Sequence, residues 1–163
     1  MALVVVFILL RKHIHKLPDY IKSVRYKDLF EVTFQDKVQA LKNEAENAGV
    51  ELPAPLPSGL AGLLDVEGQK YNSVYLIAWK EIEARLDSLA EKHSLTGSMP
   101  TSRIIHKLSE GGVISDADAR LLNEFREIRD MVVHSSFYRM DAEQARTVLR
   151  IAAGLIKKLD EKL

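Results

Sequence analysis

The chain has 163 residues, 47% of them hydrophobic and 28% charged, a globular composition with enough length to bury a core without disulfides or metals. There is no cysteine, which excludes thiol catalysis, thiolate metal sites and disulfides, and aromatics at 7% argue against a base- or sugar-stacking surface as the main business. The 23 basic residues balance 23 acidic ones, so bulk charge marks no nucleic-acid binder.

The charge is unevenly placed. Residues 1–27 carry six basic groups (Arg11, Lys12, Lys16, Lys22, Arg25, Lys27) against Asp19 alone. Residues 28–68 carry Lys37 and Lys42 against eight acids, and the remainder is nearly balanced. The first segment is therefore unlike the rest. It opens with the apolar run MALVVVFILL, followed at once by RKHIHK. Ten apolar residues are about half the length a spanning helix needs. The run lacks the basic flank before it and the small-residue cleavage site of a signal peptide. It fits the inner half of a membrane anchor, or the end of one that starts upstream, with the basic groups at cytoplasmic headgroups. The competing reading is a buried strand or an N-terminal core helix. Membrane contact is thus expected through residues 1–27, with the rest of the chain on the cytoplasmic face. His13 and His15 share a face in a strand, but only Asp19 stands nearby as a further ligand, so the pair reads as a wet basic flank.

Val24 and Tyr26, then Phe30, Val32 and Phe34, alternate with polar neighbours around Lys27-Asp28, which predicts a short β-hairpin over 23–34. A helix over 36–48 follows, with Val38, Leu41, Ala45 and Ala48 on one face and Gly49 as its stop. VELPAPLPSG at 50–59 reads as an extended linker, and Leu60, Leu63, Leu64 and Val66 form a short apolar patch beyond it. These signals divide the chain into an apolar and basic segment at 1–16, a hairpin-helix region at 17–49, a linker at 50–68 and a helical domain at 69–163.

In that domain Tyr71, Val74, Tyr75, Ala78, Ile82, Leu86 and Leu89 recur at helical spacing, which predicts a helix over 69–92. Trp79 and Tyr75 on it belong to a core or a dimer seam. HSLTGSMP is a loop. Thr101 is placed to cap a short helix with Ile104, Ile105 and Leu108, stopped by Gly111-Gly112. Ser115 with Asp118 resembles a capping box with Asp in place of Glu. It opens a helix whose apolar positions are Leu121, Leu122, Phe125, Ile128, Val132 and Val133. Asp141 with Gln144 opens the last helix, with Ala145, Val148, Leu149, Ala152, Ile156 and Leu159 inward. No strand pattern intervenes, so the domain reads as an antiparallel four-helix bundle and the fold as mainly α.

The residues that could carry chemistry lie in EFREIRDMVVHSSF. Arg126, Arg129, Asp130 and His134 crowd the end of the third bundle helix. An arginine offers a phosphate a permanent planar charge, and a histidine titrates near neutrality. Arg126 and Asp130, four apart, suit a helix-surface pair. Arg129 and His134 are five apart, about 140° of rotation on an ideal helix, so they converge only where the helix frays or meets a symmetry mate. His93 and His106 sit at a loop end and on the surface by pattern and are given no role.

Arg129-Asp130-Met131-Val132-Val133-His134 resembles the R-polar-x3-H form of the Rx4–6H motif of HEPN domains. Residues 69–163 are similar in layout to the DUF4145 branch of that superfamily, some of whose members precede the bundle with a membrane segment, a basic stretch and a small hairpin. The resemblance implies an endoribonuclease that needs no metal or cofactor and acts as a homodimer in stress response or phage defence, with RNA as substrate. By that resemblance Arg129 steadies the scissile phosphate and His134 is the general acid or base while the RNA 2′-hydroxyl attacks. Asp130 orients the pair. Toxin-type members continue as H-x-Y, whereas this chain has Ser136 at the tyrosine position. The alternative is a non-catalytic bundle of the same type that serves dimerisation or binds an unidentified protein partner at the membrane.

Overall fold

The computed structural model describes residues 35–53, 55, 71–95, 97–134 and 140–163. The apolar run and basic stretch of 1–27, the HxH pair, the hairpin expected over 23–34 and the apolar patch at 60–66 lie outside the described residues. Among the described residues the protein is mainly helical and has no strand. Residues 36–163 form one compact unit. Helix α1 covers residues 35–47 of the described chain. It is followed by α2 (Tyr71–Lys92), α3 (Thr101–Glu110), α4 (Asp116–His134) and α5 (Ala142–Asp160).

The helix ends follow local chemistry. The Asp141 carboxylate accepts from the Gln144 N–H at 2.8 Å while the Gln144 side chain accepts from the Asp141 N–H at 3.1 Å, a complete capping box on α5. At α4 the Asp118 N–H donates to the Ser115 hydroxyl, and the Asp118 carboxylate accepts from the Ser115 N–H, both at 3.1 Å. Asp thus substitutes for Glu in that box, as the spacing predicted. The expectation for α3 fails. Pro100 takes the N-cap position with no side-chain cap, and Thr101 is the first helical residue. Proline has no N–H to satisfy and a φ already set for a helix entry, so it displaces the hydroxyl. The Thr101 hydroxyl instead donates to Glu83 of α2 at 3.1 Å.

α1 and α3 end as their glycines predicted. Gly49 and Gly112 have φ of 62° and 69°, and the N–H groups of Val50 and Val113 reach back to the carbonyls of Ala45 and Leu108, both at 2.9 Å. α2 ends in the same motif without a glycine. Ser94 sits at φ 55°, with Leu95 N–H bonded to the Ala90 carbonyl at 2.8 Å.

Val38, Leu41, Ala45 and Ala48 are buried, and so are the apolar positions named above on α3. On α2, Val74, Tyr75, Ala78, Ile82, Leu86 and Leu89 are buried and join Trp79 in the core. Val133 departs from the expectation. It is 46% exposed, although Val132 beside it is buried. Adjacent helix positions differ by about 100°, so only one of the two faces the core.

Anchored pairs give the helix directions. Met140 N–H donates to the Asn72 side chain at 3.0 Å near the starts of α5 and α2. Near their ends, Arg85 pairs with Asp160 at 3.1 Å and Lys92 donates to the Lys162 carbonyl at 2.9 Å. α2 and α5 therefore run the same way. α4 runs against α5, because Asp118 at its start meets Lys158 near the end of α5. The expected uniform alternation is corrected on this point. α1 lies along α4, with Lys37 on Glu124 and Glu127 and Glu44 on Arg120. Past its glycine the chain turns onto α5, where Arg150 donates to the Pro53 carbonyl at 3.1 Å.

Gly154 of α5 allows that turn. A Cβ there would overlap the Glu51 carbonyl oxygen and the Val50 side chain, so only glycine admits the passing backbone.

Candidate functional site

The second half of α4 is fastened to α2 by an aromatic stack. The ring of Phe125 stacks with those of Tyr75 and Trp79, with centroids 5.3 Å and 6.3 Å away and planes nearly parallel. The Tyr75 hydroxyl donates to the Phe125 carbonyl. That carbonyl opens the helical turn that carries Arg129, so Tyr75 fixes the height of the turn. Burial pushes the Tyr75 phenol well above its ordinary value; Asp130 adds to the shift and the Arg129 backbone and guanidinium oppose it. Tyr75 is thus a neutral donor with a packing role, and with Trp79 it belongs to the core, one of the two places the spacing allowed.

On this turn three of the four expected residues meet. Asp130 accepts from an Arg129 Nη at 2.9 Å and from an Arg126 Nη at 3.3 Å. The side chains of all three are between one third and two fifths exposed. Water therefore screens these pairs, and each contributes about 0–1 kcal/mol to stability. His134 is not brought to them. It is the last residue of α4, exposed, and makes no hydrogen bond or ion pair with Arg129 or Asp130. The helix stays regular through His134, so the fraying that would swing it toward Arg129 is not seen among the described residues, and residues 135–139 lie outside them.

Beside the arginines is a cavity of about 280 Å³. α2 contributes Trp79 and Glu83 to its wall, α4 contributes Arg126, Arg129 and Asp130, and Pro100, Thr101 and Ser102 close it at the start of α3. Two residues of this wall carry buried donors with no acceptor among the described residues, the indole N–H of Trp79 and the Nε–H of Arg126. Buried donors normally find partners, so two orphans on neighbouring residues stand out. Sequence reasoning missed this cavity because α2, α3 and α4 supply its wall from positions 79 to 130. A larger groove of about 660 Å³ runs along α5 beside Pro53 and Gly154, and contains neither Arg129 nor His134. Among the described residues no three His, Asp or Glu side chains group as a metal site. No helix among them is long and apolar enough to cross a membrane.

No known protein family, curated protein or solved structure was found to match this chain.

Proposed function

We propose that the protein is a metal-independent endoribonuclease of the HEPN type, with Arg129 and His134 as its reacting groups and Asp130 as the residue that orients Arg129. The observation that carries this reading is the state of α4 at its end. Arg129 is clamped by Asp130 on a turn fixed by the aromatic stack, at the wall of an open cavity, and an exposed imidazole follows at the helix terminus. A guanidinium held in place presents a planar charge to a phosphate, and an unpacked imidazole is free to exchange protons. The 140° between the two residues is bridged when a second copy supplies the opposite half of the site. Val133, exposed beside His134, suits such a two-fold contact. Anchorage at the cytoplasmic face through residues 1–27 completes the proposal and rests on the apolar run abutting the basic stretch.

The reaction needs little of the protein. The RNA 2′-hydroxyl attacks the adjacent phosphorus while His134 takes or gives the proton, and Arg129 offsets the charge on the phosphoryl oxygens. The product is a 2′,3′-cyclic phosphate and a free 5′-hydroxyl. RNA incubated with the protein in EDTA should be cut with those ends, and DNA, which lacks the nucleophile, should not. A requirement for a divalent metal, or identical cleavage of DNA, would contradict the assignment. The second reading is a non-catalytic module that binds a second copy or a protein partner. It is favoured by one observation, that Asp130 engages both guanidinium groups.

A further inference from the structure

We propose that Arg126 is a positioning residue that acts through Asp130, holding its carboxylate in the orientation that presents Arg129. The inference deepens the proposed reaction. It rests on that reaction for the rate measurement below but not for the spectroscopic one, so either idea can fail alone.

Spacing sets the three residues as a triangle on α4. Arg126 stands three positions before Arg129 and four before Asp130, the two separations at which helix side chains are neighbours. Arg129 and Asp130 are adjacent in sequence, about 100° apart around the helix, and do not face each other by spacing alone. The like charges of Arg126 and Arg129 also repel. One carboxylate answers both problems. Its Oδ1 accepts from an Arg129 Nη at 2.9 Å and its Oδ2 from an Arg126 Nη at 3.3 Å. Each oxygen is thus committed to one arginine, and the carboxylate plane is fixed at two points. With a single contact it would turn, since the last torsion of an aspartate is broad and lacks deep staggered wells.

Burial makes Arg126 the anchor of this relay. Its Nε is buried, while one Nη reaches Asp130 at a side chain that is 41% exposed. The guanidinium is therefore rooted in the wall formed with Trp79 and the start of α3, and its free edge carries the carboxylate. Glu83, the other carboxylate of that wall, accepts from the Thr101 hydroxyl at 3.1 Å and pairs with neither arginine among the described residues. Asp130 is thus the group through which Arg126 reaches Arg129.

A double-mutant cycle over Arg126 and Asp130 in the full-length protein tests this. Arg126→Met keeps the apolar stem and removes every donor, Asp130→Ala removes the carboxylate, and the two are combined, all at a temperature where circular dichroism shows them folded. The first readout is the ¹H–¹⁵N heteronuclear NOE of the Arg129 Nε–H, assigned as the signal lost in Arg129→Lys. It should fall in Arg126→Met and in Asp130→Ala, and the double variant should match Asp130→Ala. The second readout is RNA cleavage in EDTA. Arg126→Met should lower kcat by about 2–5-fold with KM nearly unchanged, the scale of a screened ion pair. It should not lower kcat further once Asp130 is gone. Arg126→Lys, which still offers Asp130 a donor four residues away, should recover most of the loss. A merely structural role would move the unfolding midpoint and leave the Arg129 signal alone. A direct grip on RNA would raise KM and persist without Asp130. The proposal is overturned if the Arg129 signal is unchanged in Arg126→Met, or if the effects of Arg126→Met and Asp130→Ala add. If the wild type cuts no RNA while the Arg129 signal loosens as expected, the reaction fails and the positioning role stands.

Discussion

The two ends of α4 carry the same kinds of residue and treat them differently. At its start Asp118 is 2% exposed. Its carboxylate accepts from the Ser115 N–H, the Ser115 hydroxyl and the Lys158 ammonium, which also donates to the Ala48 carbonyl. That network ties α1, α4 and α5 together and leaves no member unpaired. At the other end Asp130 holds two arginines in partial contact with water, His134 is exposed, and two buried donors lack acceptors among the described residues. A closed network serves the fold. An open one adds little stability and leaves its exposed side chains in contact with water. The difference between them is the main physical argument for placing function at the His134 end.

The largest effect expected from breaking that contrast is at Asp118. Asp118→Asn keeps the cap geometry but strands the partly buried Lys158 ammonium. It should cost about 2–4 kcal/mol in urea unfolding, somewhat below the range for a fully buried pair. The pH dependence has a definite sign. Burial pushes the Asp118 carboxyl up, but Lys158 and the Ser115 donors outweigh it and leave the group below its ordinary value. Its contribution is therefore fully present above the unfolded pKa of about 4 and is lost as pH falls through the lower folded value. Wild type should lose stability on acidification below about pH 4, and Asp118→Asn should lose less over that interval. Arg129→Ala should change stability by less than about 1 kcal/mol.

A smaller effect is expected where α5 admits the chain that follows α1. Gly154→Ala pushes a methyl group into the Glu51 backbone, which has no rotamer to escape by. It should destabilise by about 1–3 kcal/mol in the same assay, the cost of overpacking. The smallest effect has the opposite sign. Ser94 ends α2 in the left-handed region without being a glycine. Ser94→Gly should raise stability by about 0.5–1 kcal/mol, and an unchanged or lower midpoint would mean that the Ser94 side chain offsets its strain.

Much of the helical fold is legible because its signals are local. The apolar spacing of Val74, Ala78, Ile82, Leu86 and Leu89 marks the buried face of α2. Asp141 with Gln144 and Ser115 with Asp118 mark helix starts three residues wide, and Gly49 and Gly112 mark stops. What escaped is set by partners distant in sequence. Nothing local to Asp118 tells that its carboxylate meets Lys158, or that Lys37 bridges to Glu124 and Glu127. Thr101 reads as a cap by type, yet Pro100 before it and Glu83 on α2 decide otherwise. Of the site, the Arg126–Asp130 pair is legible from its four-residue spacing. The Arg129–Asp130 contact, between neighbours on the helix, is not. The orphaned N–H of Trp79 is invisible because an aromatic at a core position looks satisfied until its surroundings are known. The parallel course of α2 and α5 follows from the short α3 between α2 and α4, which breaks simple alternation.

The most direct test compares the two ends of α4 in one RNA cleavage experiment. Arg129→Lys, His134→Ala and Asp118→Asn are assayed in EDTA at a temperature where all remain folded by circular dichroism. His134→Ala should fall by about 10²–10⁴ in rate, the range for a positioned acid or base. Arg129→Lys should fail as well, because an ammonium cannot reproduce the planar contact. Asp118→Asn, though the least stable, should keep the wild-type rate. Full activity in both site variants, or an Asp118→Asn loss as large as theirs, would contradict the assignment of function to the His134 end.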